Sequence, residues 1–263
     1  MSLRENGAAG GEASDAALTR DAFLDGRVMI RQPRHGYRAA TDPVFLAAAV
    51  PARAGQSVLD LGCGVGVASL CLAARVPGLA LTGVELQLDY AALARRNAGE
   101  NGAAFEVIEA DLTALPADLR ARSFDHVIAN PPYYAPHDPP AANPGRDRAL
   151  REATPLALWL DVALRRCRDG GHVSVIHLAE RLPELLAGLA GRASVTVLPL
   201  AARAGRAPRR VILRARKGGR SPFRLLAPLV VHEGASHPGD GEHFTPKVRA
   251  VMRAAAALPF EGG

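Results

Sequence analysis

The tetrapeptide Asn130-Pro131-Pro132-Tyr133 brings an amide, several carbonyl groups and an aromatic ring together. Two consecutive prolines stiffen the backbone and remove two N–H donors, so this turn is rich in hydrogen-bond acceptors. The Asn130 side-chain oxygen and the Pro131 carbonyl could accept both N–H groups of a planar, conjugated amine, and Tyr133 could stack on its ring. A proline-rich turn that only ends a strand is the alternative.

A glycine-rich segment, residues 60–66, reads Asp-Leu-Gly-Cys-Gly-Val-Gly and follows a short apolar run. Glycines let a backbone turn tightly and approach a ligand closely. In an open α/β sheet, ligands bind beyond the carboxyl ends of the strands, where we expect this segment to lie. Such a turn on its own is as often a plain connection as a cofactor loop, so the residues that follow decide its interpretation.

Two further carboxylates follow the next apolar runs. Glu85 ends the second run, nineteen residues after Gly66, and Asp111 follows the third run. A carboxylate at the position of Glu85 can accept hydrogen bonds from both hydroxyls of a ribose. A carboxylate at the position of Asp111 can accept a hydrogen bond from an adenine amino group. Each alone could be a helix N-cap or a solvated strand end. Their order at successive strand ends predicts a site for a nucleoside-containing cofactor.

The elements that must position these residues alternate between strands and helices. Apolar runs predict strands at residues 57–61, 79–86, 105–110, 126–129, 172–177, 195–200 and 211–216. Helical patterns follow at residues 67–76, 89–101, 155–168 and 179–190, with flanking helices at 42–50 and 245–257. Loops are predicted at residues 135–154, 201–210 and 232–244. This alternation predicts an α/β fold with a Rossmann-like, doubly wound, mostly parallel seven-stranded sheet.

The glycine-rich segment resembles motif I of the class I S-adenosylmethionine methyltransferases. Its pattern, DxGxGxG, differs from the GxGxxG of NAD-dependent dehydrogenases. The resemblance implies S-adenosyl-L-methionine as the cofactor, S-adenosyl-L-homocysteine as its product, and no metal. It also implies that Asp60 lies near the methionine part, that Glu85 holds the ribose and that Asp111 contacts the adenine. The cofactor-binding residues that we expect are Thr41, Asp60, Gly62, Cys63, Gly64, Gly66, Glu85, Leu86, Asp111, Leu112 and Asn130.

The tetrapeptide at residues 130–133 resembles the NPPY signature of amino-methyltransferases. Members of that group modify adenine N6 in DNA and RNA, guanine N2 in ribosomal RNA, or glutamine N5 in release factors. The signature therefore indicates a planar, conjugated NH₂ group as the acceptor. The resemblance assigns catalysis to Asn130, Pro131, Pro132 and Tyr133.

Segments outside the core resemble one branch of that group. Residues 36–46, the Arg146-Asp147 pair and residues 206–210 are similar to parts of the bacterial enzymes that methylate adenine N6 next to the anticodon of a valine tRNA. The resemblance implies an N-methyltransferase acting on adenine N6 in RNA, with that tRNA position as the target. A glutamine-N5 protein methyltransferase and a non-catalytic RNA-binding module that keeps the fold are the alternatives. RNA contacts are expected from Arg146, Arg206, Arg209 and Arg210.

The charge of the chain favours a polyanionic partner. Its 263 residues carry a formal net charge of +6, with an isoelectric point near 9.8. From Arg192 to Arg253 there are thirteen Arg and Lys residues against three acidic ones, a surplus of ten at one end. This surplus predicts a surface that faces phosphates, although a solvated face would have the same composition.

Composition argues against several other classes. No apolar run is long enough to span a membrane, and the N-terminal residues lack the pattern that predicts a signal peptide. The three cysteines, and the three histidines between residues 232 and 243, lack zinc-ligand spacing. We therefore expect a cytoplasmic protein without bound metal, membrane contact or an obligate protein partner. Residues 1–22 are predicted to be poorly ordered, 23–227 to form the methyltransferase domain, and 228–263 to add a strand and helix to it.

Overall fold

The computed structural model describes residues 17–35, 38–133, 154–234, 243–258 and 260. The strands are β1 Leu18–Phe23, β2 Val28–Pro33, β3 Ser57–Leu61, β4 Ala80–Glu85, β5 Phe105–Glu109, β6 Phe124–Ala129, β7 Cys167–Leu178, β8 Ala193–Ala201, β9 Arg210–Lys217, β10 Arg224–Leu225 and β11 Leu229–Val230. The α-helices in these ranges are α1 Asp42–Ala49, α2 Val67–Arg75, α3 Leu88–Glu100, α4 Ala117–Ala121, α5 Leu156–Arg166, α6 Leu182–Leu189 and α7 Pro246–Ala254. None of them has the length and apolar character that crossing a bilayer requires.

Nine strands form one sheet in the order β10-β8-β9-β7-β6-β3-β4-β5, with β11 also paired to β8. Strands β3 to β7 pair in parallel, whereas β9 runs antiparallel to both β7 and β8. The predicted mostly parallel α/β architecture is confirmed. The seven longer strands match the seven predicted ones. Strand β10 was not predicted, and β11 lies in the segment after residue 228 for which a strand and a helix were predicted; each has only two residues, too short for a periodic pattern.

Helices cover both faces of this sheet because successive residues of a strand point to opposite sides. Val58 and Ile128 pack in a cluster with residues of α1, α2, α3 and α7. Their chain neighbours Leu59 and Val127 pack in a second cluster with residues of α4, α5 and α6. Burial on both sides therefore holds the strand ends at a fixed spacing, and the site is built on those ends.

Strand β2 is held against the core by two asparagines, Asn97 within α3 and Asn101 at the C-terminal cap of that helix. The Asn97 amide accepts from the backbone N of Arg31 at 2.8 Å and donates to its carbonyl at 3.0 Å. The Asn101 amide makes the same pair of bonds with Met29, at 2.9 and 2.7 Å. Asn97, which is fully buried, also donates to the Val65 carbonyl in the glycine-rich segment at 2.9 Å. This amide links the β1–β2 hairpin to the candidate site.

The hairpin corrects one expectation. Strand β1 begins at Leu18 and pairs antiparallel with β2, so the prediction of poor order over residues 1–22 was wrong for residues 17–22. The physical reason is the support from α3, which no local pattern in the hairpin reveals. Residues 1–16 lie outside the described part of the chain.

The described residues after 228 pack on the same framework. Strand β11 extends β8, and the backbone N of Leu258 donates to Ala48 O in α1 at 2.8 Å. The helix predicted over residues 245–257 begins one residue later, at Pro246, and the hydroxyl of the preceding Thr245 donates to Val230 O at 2.9 Å. We infer that this segment and the central sheet form one folding unit.

Candidate active site

The carboxyl ends of β3, β4, β5 and β6 lie side by side because these strands are parallel neighbours. A cavity of about 240 Å³ opens at this edge. Twelve of the predicted catalytic and cofactor-binding residues line it: Asp60, Gly62, Cys63, Gly64, Glu85, Leu86, Asp111, Leu112, Asn130, Pro131, Pro132 and Tyr133. The structure thus brings the glycine-rich segment and the tetrapeptide to one cavity.

Two of the predicted residues do not line this cavity. Thr41 is exposed at the start of α1, where its carbonyl accepts from Phe45 N at 3.0 Å. Gly66 has a φ of 90°, and a Cβ there would lie 3.1 Å from the Phe105 ring. Gly66 therefore lets the chain turn into α2 against β5, which is a packing role.

Trp159 of α5 lines the cavity and was not among the predicted site residues. Its ring lies against Gly62, where an added Cβ would be 2.6 Å from the ring edge, and Gly62 has a φ of 66°. A glycine is required here both by the backbone conformation and by the close approach of the indole. Trp159 is the only tryptophan in the chain, and this was the one sequence feature that could have indicated it as a site residue.

The Glu85 carboxylate joins two loops at the cavity edge. One oxygen accepts from Gly64 N at 2.9 Å and the other from Gln87 N at 2.9 Å. Burial raises the pKa of Glu85, and these backbone N–H groups partly offset the effect. After the next strand, β5, Asp111 caps a short 3₁₀ turn through Thr113 N at 2.7 Å. Glu85 therefore fixes the glycine-rich segment as well as facing the cavity.

Asp60 is buried at the end of β3, and its carboxylate accepts from the Ser69 hydroxyl at 2.8 Å. Burial raises its pKa to about 7, and the nearby Glu85 carboxylate acts in the same direction. In the described part of the chain neither carboxylate has a cationic partner. Buried carboxylates of this kind favour a cationic ligand in the cavity.

The Asp60 pKa predicts how stability depends on pH. The unfolded chain, with the ordinary pKa of 3.8, loses this proton before the folded chain does. The free energy of unfolding contributed by Asp60 therefore falls as pH rises from about 4 to about 7. Asp60→Asn should remove this dependence. The free energy of unfolding of the variant, relative to that of the parent, should therefore increase by roughly 3 kcal/mol from about pH 5 to about pH 8. Thermal unfolding of the ligand-free proteins at both pH values tests this, and an unchanged difference would contradict it.

The Tyr133 side chain meets three segments that are distant in sequence. Its hydroxyl is 2.5 Å from Asp42 Oδ2 in α1 and 2.9 Å from Asn130 Oδ1. The Arg210 guanidinium at the start of β9 lies 4.5 Å from the Tyr133 ring centre and donates to Asp42 at 3.1 Å. Asp42 was predicted to begin a helix, and it lies in the segment 36–46 that resembles the tRNA enzymes. Its carboxylate also supports the tetrapeptide.

His177, near the end of β7, supports the main chain of the same turn. Its Nε2 lies 3.2 Å from the Pro132 carbonyl, and its ring meets Tyr133 edge-on at 5.3 Å. A carbonyl only accepts, so Nε2 carries the proton. Burial and the nearby Arg181 lower the pKa of His177 to about 4, and the ring is neutral near pH 7. His177 therefore holds the turn with a neutral hydrogen bond.

The four arginines predicted to contact RNA have different positions. Arg146 lies outside the described residues. Arg206 and Arg209 are exposed in the turn between β8 and β9. Arg210, which follows them, is half-buried and bonded to Asp42, so it belongs to the active site itself. Within the described ranges, no group of His, Cys, Asp or Glu side chains is arranged to hold a metal ion.

Sequence similarity connects this site with known proteins. The profile of the methyltransferase small domain family matches residues 40–142. Over 186 residues the chain is 32% identical to the tRNA1(Val) (adenine(37)-N6)-methyltransferase of Dickeya chrysanthemi, covering 68% of this chain and 71% of that enzyme. A predicted O-methyltransferase of Agrobacterium tumefaciens has a similar structure, with a TM-score of 0.68 at 28% identity, covering 82% of this chain and 98% of that one.

Other relatives match over shorter stretches. The tRNA1(Val) (adenine(37)-N6)-methyltransferase of Yersinia enterocolitica is 32% identical, covering 43% of this chain and 46% of that enzyme. The release factor glutamine methyltransferase of Chlorobaculum tepidum is 36% identical, covering 42% of this chain and 39% of that enzyme. The chain thus spans less than half the length of these two relatives.

The fold and the site define a class I S-adenosylmethionine-dependent methyltransferase, as the two sequence motifs predicted. Its cavity fits that cofactor, because the sulfonium and the amino group are cationic and the buried Asp60 and Glu85 carboxylates line the wall. More narrowly, the chain belongs to the family that includes the bacterial tRNA1(Val) (adenine(37)-N6)-methyltransferases.

Proposed function

We propose that this enzyme methylates the N6 amine of an adenine in RNA, with the tRNA nucleotide next to the anticodon as the target. The observation that carries the proposal is the Asn130–Tyr133 turn, which lines the same cavity as the buried carboxylates. The names of the relatives from Dickeya and Yersinia support the choice of substrate. The acceptor-rich turn favours a planar NH₂ group, and Tyr133 favours one that is attached to a ring.

Asp60, Gly64 and Glu85 would hold the methionine and ribose parts of the cofactor, and Asp111 with Leu112 the adenine. When bound, S-adenosylmethionine supplies a methyl group already activated by the sulfonium. The chain has to orient the target amine. Asn130 Oδ1 and the Pro131 carbonyl would each accept a hydrogen bond from one N–H of that amine. These two bonds would localise the nitrogen lone pair and direct it towards the methyl group. The methylated nitrogen loses its extra proton to water after the transfer, so a strong base is not required, and positioning and electrostatics supply the rate.

The target base would stack on the Tyr133 ring. One face of that ring is covered by the Arg210 guanidinium, and the His177 ring lies nearly perpendicular to it with the ring centres 5.3 Å apart. The hydrogen bond that His177 Nε2 donates to Pro132 O fixes the main chain of the turn. The base must leave its own stack to reach this pocket, and a base in an RNA loop does so at lower cost than one in a duplex.

An uninterrupted basic stretch supports a nucleic acid substrate. Residues 192–231 contain ten basic residues and no acidic one. Arg206 and Arg209 are exposed within it, in the turn that leads directly to Arg210 at the active site. Arginines at this place would contact phosphates on either side of the flipped nucleotide.

Replacing Arg206 and Arg209 together by alanine should raise the KM for RNA without changing the affinity for S-adenosylmethionine. Each lost phosphate contact should lower the salt dependence of RNA binding by about one unit in the log–log slope. The matched control is Arg53→Ala, an exposed arginine before β3, at the opposite end of the strands. Equal effects of the two changes on RNA binding would refute a specific role for this turn.

The direct test uses labelled S-adenosylmethionine with unmodified tRNA and a release factor as separate acceptors. Label recovered in N6-methyladenosine from tRNA is the expected result. Label in the release factor alone would move the assignment to glutamine N5, which the similarity to the Chlorobaculum enzyme keeps as the second candidate. Cofactor binding without transfer to either would indicate a non-catalytic RNA-binding module.

A further inference from the structure

The hydroxyl of Tyr133 lies between two oxygen acceptors, Asp42 Oδ2 at 2.5 Å and Asn130 Oδ1 at 2.9 Å. A phenol has one proton, so it can donate to only one of them. The Asp42 contact is the shorter one and its acceptor is charged, which makes it the stronger hydrogen bond. Turning the Asn130 amide so that its NH₂ faces the phenol leads to the same result, because the proton still goes to Asp42.

Arg210 holds Asp42 in this arrangement. Its Nε donates to Asp42 Oδ2 at 3.1 Å while the guanidinium covers the Tyr133 ring. Burial on its own would lower the pKa of Arg210, but Asp42 and Tyr133 raise it overall, and the guanidinium stays charged. Asp42 also lies in the first turn of α1, where the helix dipole favours a negative charge. The carboxylate is therefore oriented from two sides.

We propose that Asp42 is a positioning residue that takes the phenolic proton of Tyr133 and thereby keeps Asn130 oriented as an acceptor for the target amine. The inference rests on the proposed function, in which Asn130 Oδ1 accepts one N–H of that amine. If the phenol donated to Asn130 instead, it would compete with the target amine for the same oxygen. Asp42 acts only through Tyr133 and Asn130 and touches no reacting atom.

Asp42→Asn separates this role from simple packing because the two side chains have the same shape. The phenol and the Arg210 Nε both contact Oδ2, so an amide oxygen in its place would face both donors but without the negative charge. A neutral amide oxygen is a weaker acceptor than a carboxylate, so the phenol would donate its proton in part to Asn130. Removing the hydroxyl with Tyr133→Phe abolishes that donation whatever residue 42 is.

The experiment compares kcat at saturating S-adenosylmethionine for the parent, Asp42→Asn, Tyr133→Phe and the double variant. We expect Asp42→Asn to lower kcat by roughly 3- to 10-fold, because the phenol then competes in part with the target amine for the Asn130 oxygen. The double variant should match Tyr133→Phe within about twofold, so that losing the hydroxyl rescues the loss caused by Asp42→Asn. Asp118→Asn, in the first turn of α4, is the matched control for removing a carboxylate near a helix start and should leave kcat unchanged.

Two results would overturn the inference. One is a parental kcat for Asp42→Asn. The other is a double variant in which both losses multiply, since this would show that Asp42 stabilises the site independently of the hydroxyl. The affinity for S-adenosylmethionine, measured by calorimetry, should be the same in all four proteins. If the parent methylates glutamine in a release factor and not RNA, the proposed substrate fails, but the same four proteins still test Asp42, because a glutamine amide is also a planar NH₂ donor.

Discussion

Asn130→Ala should reduce kcat for methyl transfer by roughly 10²- to 10³-fold, the loss typical of removing one oriented hydrogen-bonding group from an active site. The reason is that alanine cannot accept from the target amine, so its lone pair stays delocalised in the ring. The affinity for S-adenosylmethionine should change little, because Asp60, Glu85 and the glycine-rich segment belong to other strands and their connections. Single-turnover transfer assays and calorimetric titration measure the two quantities separately.

The outcome distinguishes acceptor binding from cofactor binding by Asn130, which the sequence motifs assign to both. A loss of cofactor affinity as large as the loss of kcat would show that Asn130 mainly holds the cofactor. Thermal unfolding of the variant provides the control for folding, since Asn130 also contacts the Tyr133 hydroxyl.

Asn97→Ala should have the largest effect on stability, lowering the free energy of unfolding by roughly 4 kcal/mol. The amide is fully buried and satisfies the backbone N and O of Arg31 and the carbonyl of Val65, which alanine would leave unpaired. Because Val65 lies in the glycine-rich segment, cofactor affinity should also fall. Chemical denaturation and calorimetric titration of the same samples test both effects.

Asn101→Ala is the matched control for this prediction. The Asn101 amide makes the same pair of hydrogen bonds with the Met29 backbone, but this residue is only half-buried. Water can therefore replace part of the hydrogen bonding that the substitution removes. Asn101 makes no bond to the glycine-rich segment. Asn101→Ala should therefore cost less than half as much stability and leave cofactor affinity unchanged. Equal losses of affinity in the two variants would mean that the hairpin, and not the Val65 contact, supports the site.

The central sheet and most of the lining of the cavity were predictable because their determinants are local. An apolar run, a glycine-rich turn and a helix follow one another around Asp60, and the carboxylates Glu85 and Asp111 recur at successive strand ends. Parallel packing then fixes where these ends meet. The β1–β2 hairpin was missed because its polar sequence lacks a clear alternation, and it depends on Asn97 and Asn101, which lie about seventy residues further along the chain.

The support around Tyr133 could not be predicted for a related reason. Asp42 and Arg210 are 168 positions apart, and no periodic pattern in one sequence indicates such a contact. Asp42 also has an obvious local use, in the first turn of a helix, which conceals the distant one. Arg210 was grouped with Arg206 and Arg209 as an expected RNA contact, whereas the structure places its guanidinium against Asp42.

Strand β9 places Arg210 through its register with β7 and β8, where Arg210 lies opposite Leu178 and Leu200. A deletion of one residue inside β9 would move the guanidinium to the other face of the sheet, because side chains alternate with each step. Insertions in the turn at residues 202–209 leave that parity unchanged. Relatives and engineered variants can therefore differ in the length of this turn and acquire new substrate contacts there, while the length of β9 must be conserved.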